Sequence, residues 1–115
     1  YEIPFNGKYS WLYAREAAIA FITSVNKDLT GSHVFNLNGS CETIEYGLSL
    51  IKELNKEANI SCVDKSFPFP PDLDDLPLKN HIGDYPSISV KKGIENTFRA
   101  FEILKSEGRC PSFSE

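Results

Sequence analysis

The chain has 115 residues, formal net charge −4, 41% hydrophobic and 24% charged residues. That is the scale of one small globular domain, residues 1–115, with no room for two. Charges interspersed with apolar runs argue against a wholly disordered chain, and no apolar run approaches the ~20 residues of a membrane span. A pI near 5.2 speaks against a nucleic-acid footprint. No basic segment followed by an apolar stretch opens the chain, so no leader peptide is expected. Methionine is absent, which reads as a piece cut from a longer protein.

Taken in chain order, Tyr1 to Asn6 is apolar but holds Pro4, so it suits an edge or coil segment. Asn6-Gly7-Lys8 signals a turn. Tyr9 to Ala14 is aromatic-rich and predicts a strand, with Tyr9, Trp11 and Tyr13 sharing one side. A helix follows over about 15–26, with Ala17, Ala18, Phe21, Ile22 and Val25 as its core-facing stripe. His33 to Leu37 predicts a second strand, parallel to the first through a right-handed crossover. Asn38-Gly39-Ser40 is a turn. Thr43, with Ser40 as competitor, caps a second helix over about 44–56. Its apolar face is Ile44, Gly47, Leu48, Ile51 and Leu54. Ile60 to Val63 predicts a short third strand.

Asp64 to Pro86 differs from the rest. Pro68, Pro70, Pro71, Pro77 and Pro86 forbid a ladder or a long helix, so an ordered loop with one short helical turn at Leu76 to Asn80 is expected. A loop this long is unusual in a small domain and is often functional. Asp72-Leu73-Asp74-Asp75 resembles the start of a calcium loop, but Pro77 stands where its glycine should be, and a solvated acidic loop is expected. Ser89 then caps a third helix over about 90–107, with Val90, Ile94, Thr97, Phe98, Phe101 and Leu104 as its stripe. Gly108 and Pro111 end it. The fold class read from this alternation is α/β, a small sheet of about three short strands with three main helices and a long Pro/Asp-rich loop.

The chemistry-bearing residues are sparse. Cys41, Cys62 and Cys110 are odd in number and widely spaced, which reads as three free thiols in a reducing cytoplasm. His33 and His81 are far apart in sequence and read as separate surface or capping residues, so no metal site is expected. The glycines never cluster, so neither a dinucleotide fingerprint nor a P-loop can be placed.

Three stretches in order, Tyr9 to Phe21 (YSWLYAREAAIAF), Val34 to Gly39 (VFNLNG) and Gly83 to Phe101 (GDYPSISVKKGIENTFRAF), together resemble a known family. It is the C-terminal, substrate-binding region of extended short-chain dehydrogenases/reductases, the NAD-dependent epimerase/dehydratase family. The matching pieces are Tyr13-Ala14-Arg15-Glu16-Ala17-Ala18, then Phe35-Asn36-Leu37-Asn38-Gly39, then the run from Pro86 to Thr97. The resemblance implies the C-terminal portion of an extended Rossmann-type enzyme, lacking the NAD(P)-binding part. The family's catalytic Tyr-x-x-x-Lys pair is missing, since no lysine here has a tyrosine four residues before it. The resemblance therefore implies no catalytic residue and no cofactor held by this chain, with NAD or NADP bound in the full-length protein.

The partners so implied are a small-molecule substrate and the protein's own N-terminal Rossmann domain, with no nucleic acid and no membrane. The substrate-side candidates are Tyr9, Trp11, Asn38, Gly39, Ser40, Phe67 and Phe69. Sugar-nucleotide epimerases clamp a diphosphate with arginines. Here Lys8 and Tyr9 lie near the first such position and the loop from Phe67 to Leu76 is acidic. A smaller or less charged substrate is expected. A domain severed from its cofactor half should also expose an apolar face and self-associate. The alternative reading is a free-standing interaction module without enzymatic activity.

Overall fold

The structure, a computed structural model, describes residues 1–28, 30–66 and 68–110. It is an α/β arrangement of four helices and two small two-stranded sheets, in the order β1 (Glu2–Ile3), β2 (Lys8–Trp11), α1 (Ala14–Val25), β3 (Ser40–Thr43), α2 (Ile44–Leu54), β4 (Ser61–Cys62), α3 (Leu76–Ile82) and α4 (Val90–Ser106).

The first segment is an edge strand, as Pro4 requires. β1 pairs in parallel with β4, Glu2 against Ser61 and Ile3 against Cys62, and the contact continues as a bridge between Asn6 and Ser66. The N-terminal ammonium donates to the Asn59 carbonyl at 2.7 Å. β4 falls inside the third predicted strand.

The second expected strand is a correction. Residues 33–37 join no ladder. β2 pairs instead with β3, and does so antiparallel, with Lys8 opposite Thr43 and Trp11 opposite Ser40. The expected parallel pair and its crossover are therefore absent. The period-two pattern itself survives. Phe35 and Leu37 pack on the core while Val34 is 95% exposed. The segment is extended with one face covered, but no other strand among the described residues lies beside it to take its backbone hydrogen bonds.

α1 lies where it is expected but rotated. The inward residues are Glu16, 3% exposed, and Ala20, which joins Leu78, Ile82 and Tyr85 in a core cluster. The predicted stripe points outward, with Phe21 67%, Ile22 63% and Val25 84% exposed. The cause is local to Glu16. Its carboxylate accepts the Tyr13 N–H at 3.3 Å, at the head of its own helix, and the N–H of Ile88 just ahead of α4. Those two bonds fix the helix azimuth, because a buried carboxylate without donors would be far more costly than exposed apolar surface.

α2 begins at Thr43, whose hydroxyl accepts the Tyr46 N–H at 3.2 Å, a serviceable N-cap. Ile44, Gly47 and Leu48 are buried as expected. Leu50 is buried as well, whereas Leu54 is exposed. α3 carries Pro77 in its first turn, where the missing N–H costs nothing. α4 is capped by Ser89, whose Oγ accepts the Lys92 N–H at 3.3 Å, and Gly108 follows it at φ +66°. Pro111 lies outside the described residues. Lys91 and Lys92 stand exposed in the first turn, and Lys92 pairs with Glu95 at 3.9 Å. α4 packs along α2, with Ile94 and Phe98 half-buried while Phe101 stays exposed. No helix among the described residues is long and apolar enough to cross a membrane.

Candidate functional site

An apolar concavity opens between the end of β2 and α4. It has a volume of about 590 Å³ and is lined by Trp11, Leu12 and Tyr13, by Ile88, Ile94, Phe98 and Phe101, and by Ile51 of α2. A concavity of this size and lining is the default ligand-site hypothesis in a small domain.

Each wall is placed by a local cause. The Trp11 indole donates from Nε1 to the Glu42 carbonyl at 3.1 Å. Its six-membered ring lies against Gly47, where a Cβ would meet Cη2 at 2.5 Å. Tyr13 is the N-cap of α1. The helix α4 wall is the stripe read from sequence, used here to line a groove as well as a core.

Two of the hydroxyls on these walls are already occupied. Ser89 Oγ caps α4, and the Thr97 hydroxyl donates to the Gly93 carbonyl at 2.8 Å. What enters therefore binds chiefly by burying apolar surface, worth ~25 cal/mol per Å² removed from water. No carboxylate, lysine, histidine or cysteine is among the lining residues, and Tyr13 is the lining residue that carries a phenol.

The other predicted positions divide. Asn38, Gly39 and Ser40 come together with β2. Ser10 Oγ donates to Asn38 Oδ1 at 2.7 Å and accepts the Gly39 N–H at 2.9 Å. Ser40 Oγ donates to the Ile88 carbonyl at 3.1 Å. Gly39 is required there, since a Cβ would fall 1.9 Å from the Trp11 carbonyl oxygen. These residues brace the groove from behind. Of the predicted candidates only Trp11 lines it. Tyr9 meets Trp11 edge-on at 6.5 Å and Phe5 at 6.0 Å. Phe69 is exposed, and Phe67 lies outside the described residues.

A polar hub stands behind this brace. The Tyr85 hydroxyl donates to the Asp75 carboxylate and, as acceptor, takes the Asn38 N–H at 3.2 Å. Lys79 Nζ reaches Asp75 at 3.0 Å. Asn38 Nδ2 donates to Asp72 at 2.7 Å, and Asn36 Nδ2 to the Asp74 carbonyl at 3.2 Å. The loop expected to be merely solvated is thus tied to the 36–38 segment by its acids. Burial pushes the Tyr85 phenol up to about 12, helped by its bond to Asp75. Burial alone would raise the Asp75 carboxyl, but the Tyr85 hydroxyl and the Lys79 ammonium outweigh it and hold it below the ordinary carboxylate value. Neither group lines the groove, so the hub is structural.

Sequence reasoning missed Tyr13, Ile88 and Phe98 as groove residues because their apolar spacing reads equally as core. It missed the hub because Tyr85 and Asn38 are 47 positions apart. It also separated His33 and His81, whose rings stand 5.6 Å apart, centroid to centroid.

No protein-family model, no curated protein and no solved structure matches this chain.

Proposed function

We propose that this chain is the substrate-side part of an NAD(P)-dependent epimerase/dehydratase-like oxidoreductase of the extended short-chain dehydrogenase/reductase type, inactive by itself. The observation that carries the reading is the convergence of the three stretches on which the resemblance rests. Residues of the first stretch, Trp11 to Ala14, and of the third, among them Ile88, Gly93, Ile94 and Phe98, line one groove. Asn38 to Ser40 is hydrogen-bonded to Ser10 and to Ile88 behind it. In this reading Trp11 and its neighbours form walls of the substrate pocket, braced by Asn38, Gly39 and Ser40. Tyr9 meets Trp11 edge-on.

The hydride transfer belongs to another part of the protein. The turns that precede α1, α2 and α4 contain no glycine cluster through which backbone could approach a pyrophosphate. These residues therefore do not form a dinucleotide site, and no step of the reaction is assigned to them. The groove lacks cationic groups, which favours an uncharged or weakly charged substrate over a nucleoside diphosphate sugar. The free state of Cys41, Cys62 and Cys110 supports a reducing compartment.

The test has two parts. Titration of the chain with NAD and NADP, followed by intrinsic fluorescence, is expected to give no saturable binding; tight saturable binding would overturn the proposal. Sequencing upstream in the reading frame is expected to reveal a glycine-rich strand-turn-helix and a Tyr-x-x-x-Lys pair, and the longer protein should oxidise or reduce a nicotinamide. The exposed face of α1 at Phe21, Ile22 and Val25 suits a domain parted from its cofactor half and equally a second reading, a free-standing interaction module. A native translation start at residue 1 would support that reading.

A further inference from the structure

The chain's two histidines come from distant elements, His33 from the segment ahead of the 35–37 stretch and His81 from the last turn of α3. Their ring centroids are 5.6 Å apart. Each ring is anchored by one nitrogen to a backbone carbonyl. His33 Nε2 is 2.8 Å from the Thr30 oxygen, and His81 Nδ1 is 2.9 Å from the Pro77 oxygen. A carbonyl only accepts, so each of those nitrogens carries the proton. That assigns both tautomers of the neutral rings and leaves a lone pair on His33 Nδ1 and on His81 Nε2.

A third ring restrains the pair. Phe35 stacks on His33 at 5.8 Å with 3° between planes, and meets His81 at 4.8 Å. Phe35 is itself packed on the core formed by Ala20, Leu78, Ile82 and Tyr85. Both imidazoles are exposed, so an ion has access.

From these contacts we infer that His33 and His81 form a two-imidazole site for a divalent zinc ion, clipping the 30–35 segment to α3. The ring spacing admits the ion. Zinc sits about 2.0–2.1 Å from an imidazole nitrogen and prefers a tetrahedral shell, which sets two ligand ring centroids about 5.2 Å apart. A right-angled pair, as in an octahedral or square-planar shell, would need the rings nearer, at about 4.5 Å. The carbonyl contact on the far nitrogen of each ring is the usual outer-shell partner of a metal-binding histidine. No group of three or more His, Cys, Asp or Glu among the described residues could hold a metal. The other two positions therefore fall to water or to a donor from outside the chain.

The experiment is a titration of the wild-type chain with zinc chloride, followed by the carbon-bound ring protons of the histidines in NMR spectra. With two histidines in the chain, both rings are read directly. The expected result is that both sets of signals shift together and saturate at one common midpoint. His33→Gln should weaken the zinc response of His81 at least tenfold, and His81→Gln should do the same for His33. Zinc taken up by the free thiols would leave the ring signals unmoved and would overturn the site. So would two rings that titrate at separate midpoints, or a surviving ring whose response is unchanged in either variant. If a variant fails to fold, the common midpoint in the wild-type chain still decides.

Discussion

Trp11 and Gly47 interlock. The indole occupies the space a side chain on α2 would need, so that a methyl at Gly47 would stand 2.5 and 2.6 Å from two ring carbons. Helix propensity favours alanine over glycine by about 1 kcal/mol, yet overpacking a filled site costs about 1–3 kcal/mol. Gly47→Ala is therefore expected to be net destabilising, by up to roughly 2 kcal/mol, read as a lowered denaturation midpoint. Trp11→Leu in the same chain should make the alanine nearly harmless, a coupling that a double-mutant cycle measures. Additive losses would show that the two residues do not interlock.

Tyr85 joins Asp75 to Asn38, and its removal leaves the Asn38 N–H without that acceptor. Tyr85→Phe should cost about 1–3 kcal/mol, the range for a buried polar group that loses its partner. The pH dependence has a definite sign. The folded phenol is raised from 10 to about 12, so the unfolded chain loses its proton first. The associated stability is whole below about pH 10 and disappears as pH climbs toward about 12. Asp75 is shifted the other way, below 3.8. Its contribution is whole above the unfolded value and is lost as pH falls through the lower folded one. Denaturation midpoints across pH should show both flanks in the wild type, and Tyr85→Phe should abolish the alkaline flank.

The outward face of α1 is expected to drive self-association. Phe21, Ile22 and Val25 lie within little more than one turn and are mostly exposed, the kind of contiguous patch that marks an interaction surface. Sedimentation velocity should show mass increasing with concentration. Phe21→Glu combined with Val25→Lys should return the chain to a monomer while its circular dichroism is kept, because neither side chain supports the core. A wild-type chain that stays monomeric at high concentration would remove the patch from consideration.

Where the sequence was legible, a local cause was at work. Ser89 and Thr43 cap helices because a hydroxyl meets its own N3 amide, three residues ahead. Pro77 and Gly108 punctuate for equally local reasons. The failures share a different origin. The stripe on α1 shows which side of a helix repels water, but the azimuth was decided by Glu16 and an amide 72 positions away. The 33–37 alternation was real, but a strand needs a neighbour and the neighbour of β2 proved to be Ser40 to Thr43. Among the predicted site residues, Trp11 lines the groove while Asn38, Gly39 and Ser40 brace it. Nothing in a single sequence distinguishes a wall from its support.

The bond from Glu16 to Ile88 also orders events during synthesis. α1 leaves the ribosome long before Ile88 does, and until then the carboxylate has only the Tyr13 amide to hold it. Burying a charge so poorly satisfied is costly, so docking of α1 through that side is disfavoured until the Ile88 region has emerged. A polypeptide terminated ahead of Pro86 would keep the Ala20 partners Leu78, Ile82 and Tyr85 but lack one of the two amides that hold the Glu16 carboxylate.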